Sequence, residues 1–166
     1  GRLAILLEAA WRRFWQELDR NRPLWRKRLP DLENALLSLM AGGDYALIRS
    51  VEGFEDSTDL GKYQLERTGI GPGDVVVAVT EGGETPFVIG TAWKGLEAGA
   101  NVFFVYNNPT ETLRQHVERS RGVIDEPRIT KIDLYTGPMA VAGSTRMQAT
   151  TAEVLAMGAA LELALF

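Results

Sequence analysis

Three short stretches of this chain combine residue types that can do chemistry. The first is Thr80-Glu81-Gly82-Gly83-Glu84-Thr85-Pro86. Glycine lets a backbone approach a ligand closely, and the free amides and dipole of a helix start favour an anion. Thr80, Gly82, Gly83 and Thr85 are therefore candidate ligand-binding residues. An ordinary strand-to-helix turn has the same composition, and Glu81 and Glu84 oppose an anion unless they point away. The second stretch is Gly143-Ser144-Thr145-Arg146-Met147. It offers two hydroxyls, free amides and one cation in a single turn. The other reading is structural: Ser144 and Thr145 cap a helix, and Arg146 is a surface charge. The third is Glu52-Gly53-Phe54-Glu55-Asp56-Ser57. Three carboxylates so close often mark a solvated helix start. In a desolvated pocket, however, Glu55 could serve as a general acid/base or accept a sugar hydroxyl, with Glu52 joining the ligand-binding set.

Little else in the chain is chemically suggestive. There is no cysteine, which excludes disulfides, thiolate zinc sites and cysteine nucleophiles. The single histidine, His116, falls on an expected surface helix, and there is no Gly-x-Ser-x-Gly elbow to pair with it. No cofactor or metal is implied. A net charge of −4 argues against broad nucleic-acid binding but leaves a small anionic ligand open. The arginine-rich stretch from Arg20 to Arg28 reads as a solvated connection. No apolar run approaches the roughly 18 residues of a membrane span, so neither nucleic acid nor membrane is an expected partner. A cytoplasmic setting fits. With 166 residues, 45% of them hydrophobic, the chain suits one domain with one core.

The elements that must position these loops are legible from periodicity and punctuation. Leu3, Leu7, Ala10, Trp11, Phe14 and Leu18 share one helical face. Shorter helices are expected over 31–39 and 45–50, and a polar one from Ser57 to near Gly69. Val75–Val79 and Val102–Val105 read as strands of the fully buried kind found inside parallel sheets. Between them a helix should run from Pro86 to about Ala98, stopped by Gly99. A helix over 110–121, a third strand over 129–135 and a last helix from about Arg146 complete the pattern. Strands alternating with helices predict an α/β fold with a central parallel sheet and helices on both faces. Ligands of such sheets bind beyond the C-terminal ends of the strands, where the first two candidate loops lie.

Taken together, Ala41-Gly42-Gly43-Asp44, Val51-Glu52-Gly53, Glu55-Asp56-Ser57, the segment 75–86 and Gly143-Ser144-Thr145-Arg146-Met147 resemble one family in order and spacing. It is the SIS (sugar isomerase) domain group of N-acetylmuramic acid 6-phosphate etherases and glucokinase regulatory proteins. Gly1-Arg2-Leu3 looks like the tail of that family's glycine-rich opening loop, which makes the chain a piece of a longer protein whose first strand lies upstream. The resemblance implies a three-layer, flavodoxin-like SIS sandwich. It also implies a phosphorylated sugar held by Thr85, Ser144 and Thr145, and pairing into a homodimer. A kinase partner is conceivable for a regulatory-type domain but not named by the residues.

The resemblance also bears on catalysis. Etherases use two glutamates, and Glu55 matches one of them. The other falls at Ala10, which carries no proton. Glu8 is two residues away, roughly 200° around a helix. Gly82 and Glu84 stand where etherases have Ser and Arg, and Gln148 where Lys is usual. The expectation is a sugar-phosphate-binding domain of regulatory or sensing type. The alternatives are an active lyase or phosphosugar isomerase using Glu55, and a dimerisation or interaction module.

Overall fold

The computed structural model describes residues 37–49, 51–144 and 147–165. The expected helix over 3–19, and residues 31–36 of the next, lie outside that set. Residues 37–39 do not continue a helix.

After a turn at 41–44, α1 (Tyr45–Ile48) and a 3-10 turn (Phe54–Asp56) lead into α2 (Thr58–Glu66). Ser57 caps α2: its Oγ accepts from the Leu60 amide at 3.1 Å. Next come β1 (Val75–Val79), α3 (Pro86–Glu97) and β2 (Asn101–Tyr106). They are followed by α4 (Thr110–His116), α5 (Glu118–Asp125), β3 (Ile129–Asp133) and α6 (Gln148–Leu165). The strands form one parallel sheet in the order β1-β2-β3, with Val77 opposite Phe103 and Val105 opposite Ile132. The chain is thus an α/β domain with helices around a parallel sheet, as the alternating pattern predicted.

One face of the sheet carries the main core. Val76, Ala78, Val102, Phe104 and Tyr106 point to it, and Ile89 and Ala92 of α3 and Val123 and Ile124 of α5 pack against them. Phe104 is fully buried, its ring 5.5 Å from that of Tyr106. Burial of such side chains contributes roughly 2–3 kcal/mol each. The opposite face is less covered. Val75 and Val77 are 55% and 46% exposed. This differs from the fully buried strand expected at 75–79. Among the described residues β1 is an edge strand, and α6 reaches only the far end of that face. There Val105, on the side opposite Phe104, is fully buried.

Helix α2 lies against α3 with almost no side chain between them. A Cβ on Gly61 would sit 2.0 Å from the Phe87 carbonyl oxygen, and one on Gly90 2.1 Å from that of Thr58. Two ion pairs, Lys62–Glu97 at 3.0 Å and Lys94–Glu66 at 2.6 Å, bridge the same helices at the surface. Exposed pairs of this kind add at most about 1 kcal/mol each.

The expected helix over 110–121 is two helices broken at Val117, which is extended (φ −123°, ψ 96°). Arg121 stabilises the break by donating from Nε to the Arg114 carbonyl at 2.7 Å and from Nη2 to that of Gln115 at 3.2 Å. These carbonyls end a helix and have no intrahelical partner.

Candidate functional site

The segment after β1 is wired on every side. The Thr80 amide donates to the Val105 carbonyl at 3.0 Å, which carries the chain one residue beyond the strand pairing. The Thr80 side chain is fully buried, and its Oγ1 lies 2.8 Å from Oγ1 of Thr85. A turn closes between them, Gly83 N–H to Thr80 carbonyl at 3.1 Å. Three neighbours hold the carbonyls of that turn. Asn108 Nδ2 donates to Gly82 at 2.9 Å, Ser120 Oγ to Gly83 at 2.8 Å, and Arg119 Nε to Glu84 at 2.7 Å. Gly83 needs its φ of +75°, and a Cβ there would lie 2.5 Å from Leu113 Cδ1. Thr85 is the N-cap residue of α3, but its side chain bonds Thr80 and makes no cap hydrogen bond. The hydroxyl pair and the uncapped helix start sit at the C-terminal edge of the sheet.

Glu84 and Glu81 go separate ways. Glu84 turns to the surface, where its Oε2 lies 3.4 Å from Arg119 Nη2. Glu81 turns inward and is only 5% exposed. Its carboxylate accepts a hydrogen bond from Thr150 Oγ1 in the first turn of α6. The Glu81 carbonyl accepts from the Asn107 amide at 3.0 Å. One turn beyond Thr150, Glu153 is fully buried. Asn107 Nδ2 donates to Glu153 Oε1 at 2.7 Å. Burial, then the negative charge of Glu81, push the Glu153 carboxyl up to about 8, against the stabilising bond from Asn107. The ends of β1 and β2 and the start of α6 thus meet through Thr80, Glu81, Asn107, Thr150 and Glu153.

Sequence reasoning missed Glu153 and Asn107 and considered Glu81 only as an obstacle to an anion. One signal was available: Glu153 is one of two carboxylates, with Glu162, in the largely apolar run 149–165.

The remaining candidates sit elsewhere around the same helices. Glu55 is half-buried in the 3-10 turn, which packs on α3, and Glu52 is exposed just before it. Gly143 is exposed at φ +77° and Ser144 half-buried, its amide donating to the Val141 carbonyl at 3.0 Å. The helix expected from Arg146 begins at Gln148, whose Nε2 donates to Thr136 Oγ1 at 2.8 Å. Thr145 and Arg146 lie outside the described residues. Beside this corner Thr136, Met147, Gln148, Thr151, Ala152 and Leu155 line a shallow depression of about 490 Å³. His116 is exposed at the end of α4, beside Glu84 and Arg119. No cluster of metal-ligating side chains occurs among the described residues.

Residues 1–94 match the family model of the glucokinase regulatory protein N-terminal SIS domain. The chain belongs to this SIS-domain family. The segment matched contains α2, most of α3, Glu52, Glu55 and the whole Thr80–Thr85 loop. Curated relatives of the SIS domain include N-acetylmuramic acid 6-phosphate etherases from three bacteria. That of Deinococcus radiodurans is 39% identical over 119 residues, 72% of this chain and 35% of the relative. That of Mesorhizobium japonicum is 34% identical over 75% of this chain and 37% of its own. That of an Exiguobacterium species is 35% identical, with 75% and 38% covered. The chain spans little more than a third of the length of these relatives. Among the described residues no helix is long and apolar enough to cross a membrane.

Proposed function

We propose that this SIS domain binds a phosphorylated sugar and acts as a regulatory or sensing module. The observation that carries the proposal is the meeting, at the C-terminal edge of a parallel sheet, of the loop that leads into the uncapped α3 with the first turn of α6, through Glu81 and Thr150. Helix starts in this position attract anions, and the edge is where such sheets bind ligands. Thr80, Gly82, Gly83 and Thr85 form one wall of the proposed site. Gly143 and Ser144 are assigned to the other, with Thr145 and Arg146 assigned from the sequence alone, and Glu55 and Glu52 are added from the segment before α2. A regulatory role is favoured by Ala10, which stands where the second etherase glutamate belongs. Pairing of two copies and a cytoplasmic setting accompany this proposal.

The test is thermal unfolding of the full-length protein with a panel of hexose 6-phosphates. Saturable stabilisation is expected, about 2.7 kcal/mol at a hundred times the dissociation constant. No shift with any member removes the proposal.

The match to etherases favours a second reading, lyase action on N-acetylmuramic acid 6-phosphate with Glu55 as acid/base. Turnover of that compound, lost in Glu55→Gln, would support it. Turnover that survives the substitution would remove Glu55 from the chemistry.

A further inference from the structure

Four side chains under the proposed site form a cluster whose hydrogen-bonding demands do not match if every carboxyl is ionised. Glu153 and Asn107 are each fully buried. One bond joins them, Asn107 Nδ2 to Glu153 Oε1 at 2.7 Å. The other two oxygens, Glu153 Oε2 and Asn107 Oδ1, are buried without a partner. With Glu153 ionised both are acceptors, and leaving a buried acceptor unmatched is costly. A proton on Oε2 turns one of them into a donor and removes a negative charge from the interior.

We propose that Glu153 keeps a proton in the folded protein, and that this proton latches the start of α6 to the ends of β1 and β2. Helix α6 meets the sheet through this corner: Thr150 binds Glu81 from the β1 side, and Glu153 binds Asn107 from the β2 side. Among the described residues, the groups facing Glu153 come from three elements. The loop after β1 contributes the carboxylate of Glu81, and the loop after β2 the neutral amide of Asn107. Its own helix contributes the neutral hydroxyl of Thr150. No lysine, arginine or histidine among the described residues contributes to the field at Glu153. Burial and the nearby Glu81 carboxyl both disfavour a charge on Glu153. Glu153 is the glutamate of the cluster with a buried oxygen left unmatched, so the proton is assigned to Glu153.

The latch is sensitive to pH. A carboxyl whose folded-state value is raised from 4.5 to about 8 holds its proton more tightly folded than unfolded. Its stabilisation is complete below the unfolded value and is lost as pH rises through the folded one. Between those limits the fold weakens, and above them α6 is held across two buried negative charges. The latch holds the corner on which the proposed site rests, so the inference deepens that reading, although its test needs no ligand.

The full chain is compared with Glu153→Gln, which keeps the acceptor for Asn107 and supplies a permanent N–H donor without charge. Thermal unfolding from pH 5 to pH 9 should fall more steeply in the wild type, and the stability difference should tilt toward the variant as pH rises. Parallel curves overturn the proposal. Should the variant fold poorly, carbon-13 spectra of the wild type labelled at glutamate carboxyls decide. One resonance titrating near pH 8 supports the latch, and its absence overturns it. Failure of sugar-phosphate binding leaves both readouts unaffected, so the two proposals fail separately.

Discussion

Gly83 and Gly143 share nearly the same backbone, φ +75° and +77°, in opposite surroundings. Around Gly83 the chain is fixed by Ser120, Asn108, Arg119 and the Thr80–Thr85 hydroxyl pair, and a Cβ would strike Leu113. Around Gly143, chain neighbours aside, no heavy atom of the described residues lies within 4 Å of where a Cβ would stand. The first loop is shaped by its own neighbours. The second is exposed and is tied locally by the Ser144 amide to the Val141 carbonyl. The difference teaches that the two walls of the proposed site are held unequally. One is built in place by several neighbours, and the other by little beyond its own turn.

The largest expected effect sharpens that contrast directly. Gly83→Ala should cost about 3 kcal/mol, combining left-handed strain with overpacking. Gly143→Ala should cost about 1 kcal/mol, from strain alone. Urea denaturation of both variants measures the gap, and equal losses would erase the distinction between the loops. Next comes Ser120→Ala, which leaves the buried Gly83 carbonyl without its donor. A loss of about 1–2 kcal/mol is expected by the same measurement. If stability were unchanged, the first loop would not depend on its helix neighbours. Smallest is Glu84→Ala. Its exposed ion pair with Arg119 should contribute less than about 0.5 kcal/mol, because solvent screens it. A loss above 1 kcal/mol would mean that the surface charge shapes the loop after all.

The strands and α3 were legible because their signals are local: a run of valines, a proline at the first helical turn, a glycine after the last. The break at Val117 was not. Leu113 and Val117 keep helical spacing, and the arginine that stabilises the interruption acts through carbonyls six and seven residues back. The exposed side of β1 was misread because a valine run looks alike whether one face or both are covered. At the site, the Thr80–Thr85 segment could be picked out by composition. Its floor could not, since Asn107 and Glu153 stand 46 residues apart and Glu81 and Thr150 69 apart. Only folding brings such pairs together, and a carboxylate in a largely apolar helix does not tell which partner it meets.

The glycines at the crossing of α2 and α3 have a mechanical consequence. Helices that touch through bare backbone have no side chains between them to rearrange, so they can separate but cannot slide. The turn bearing Glu55 leads into α2 and packs on the helix opened by Thr85, so one crossing places both. A change in the space between them is expected to come from exchanged side chains rather than from a shift of that crossing.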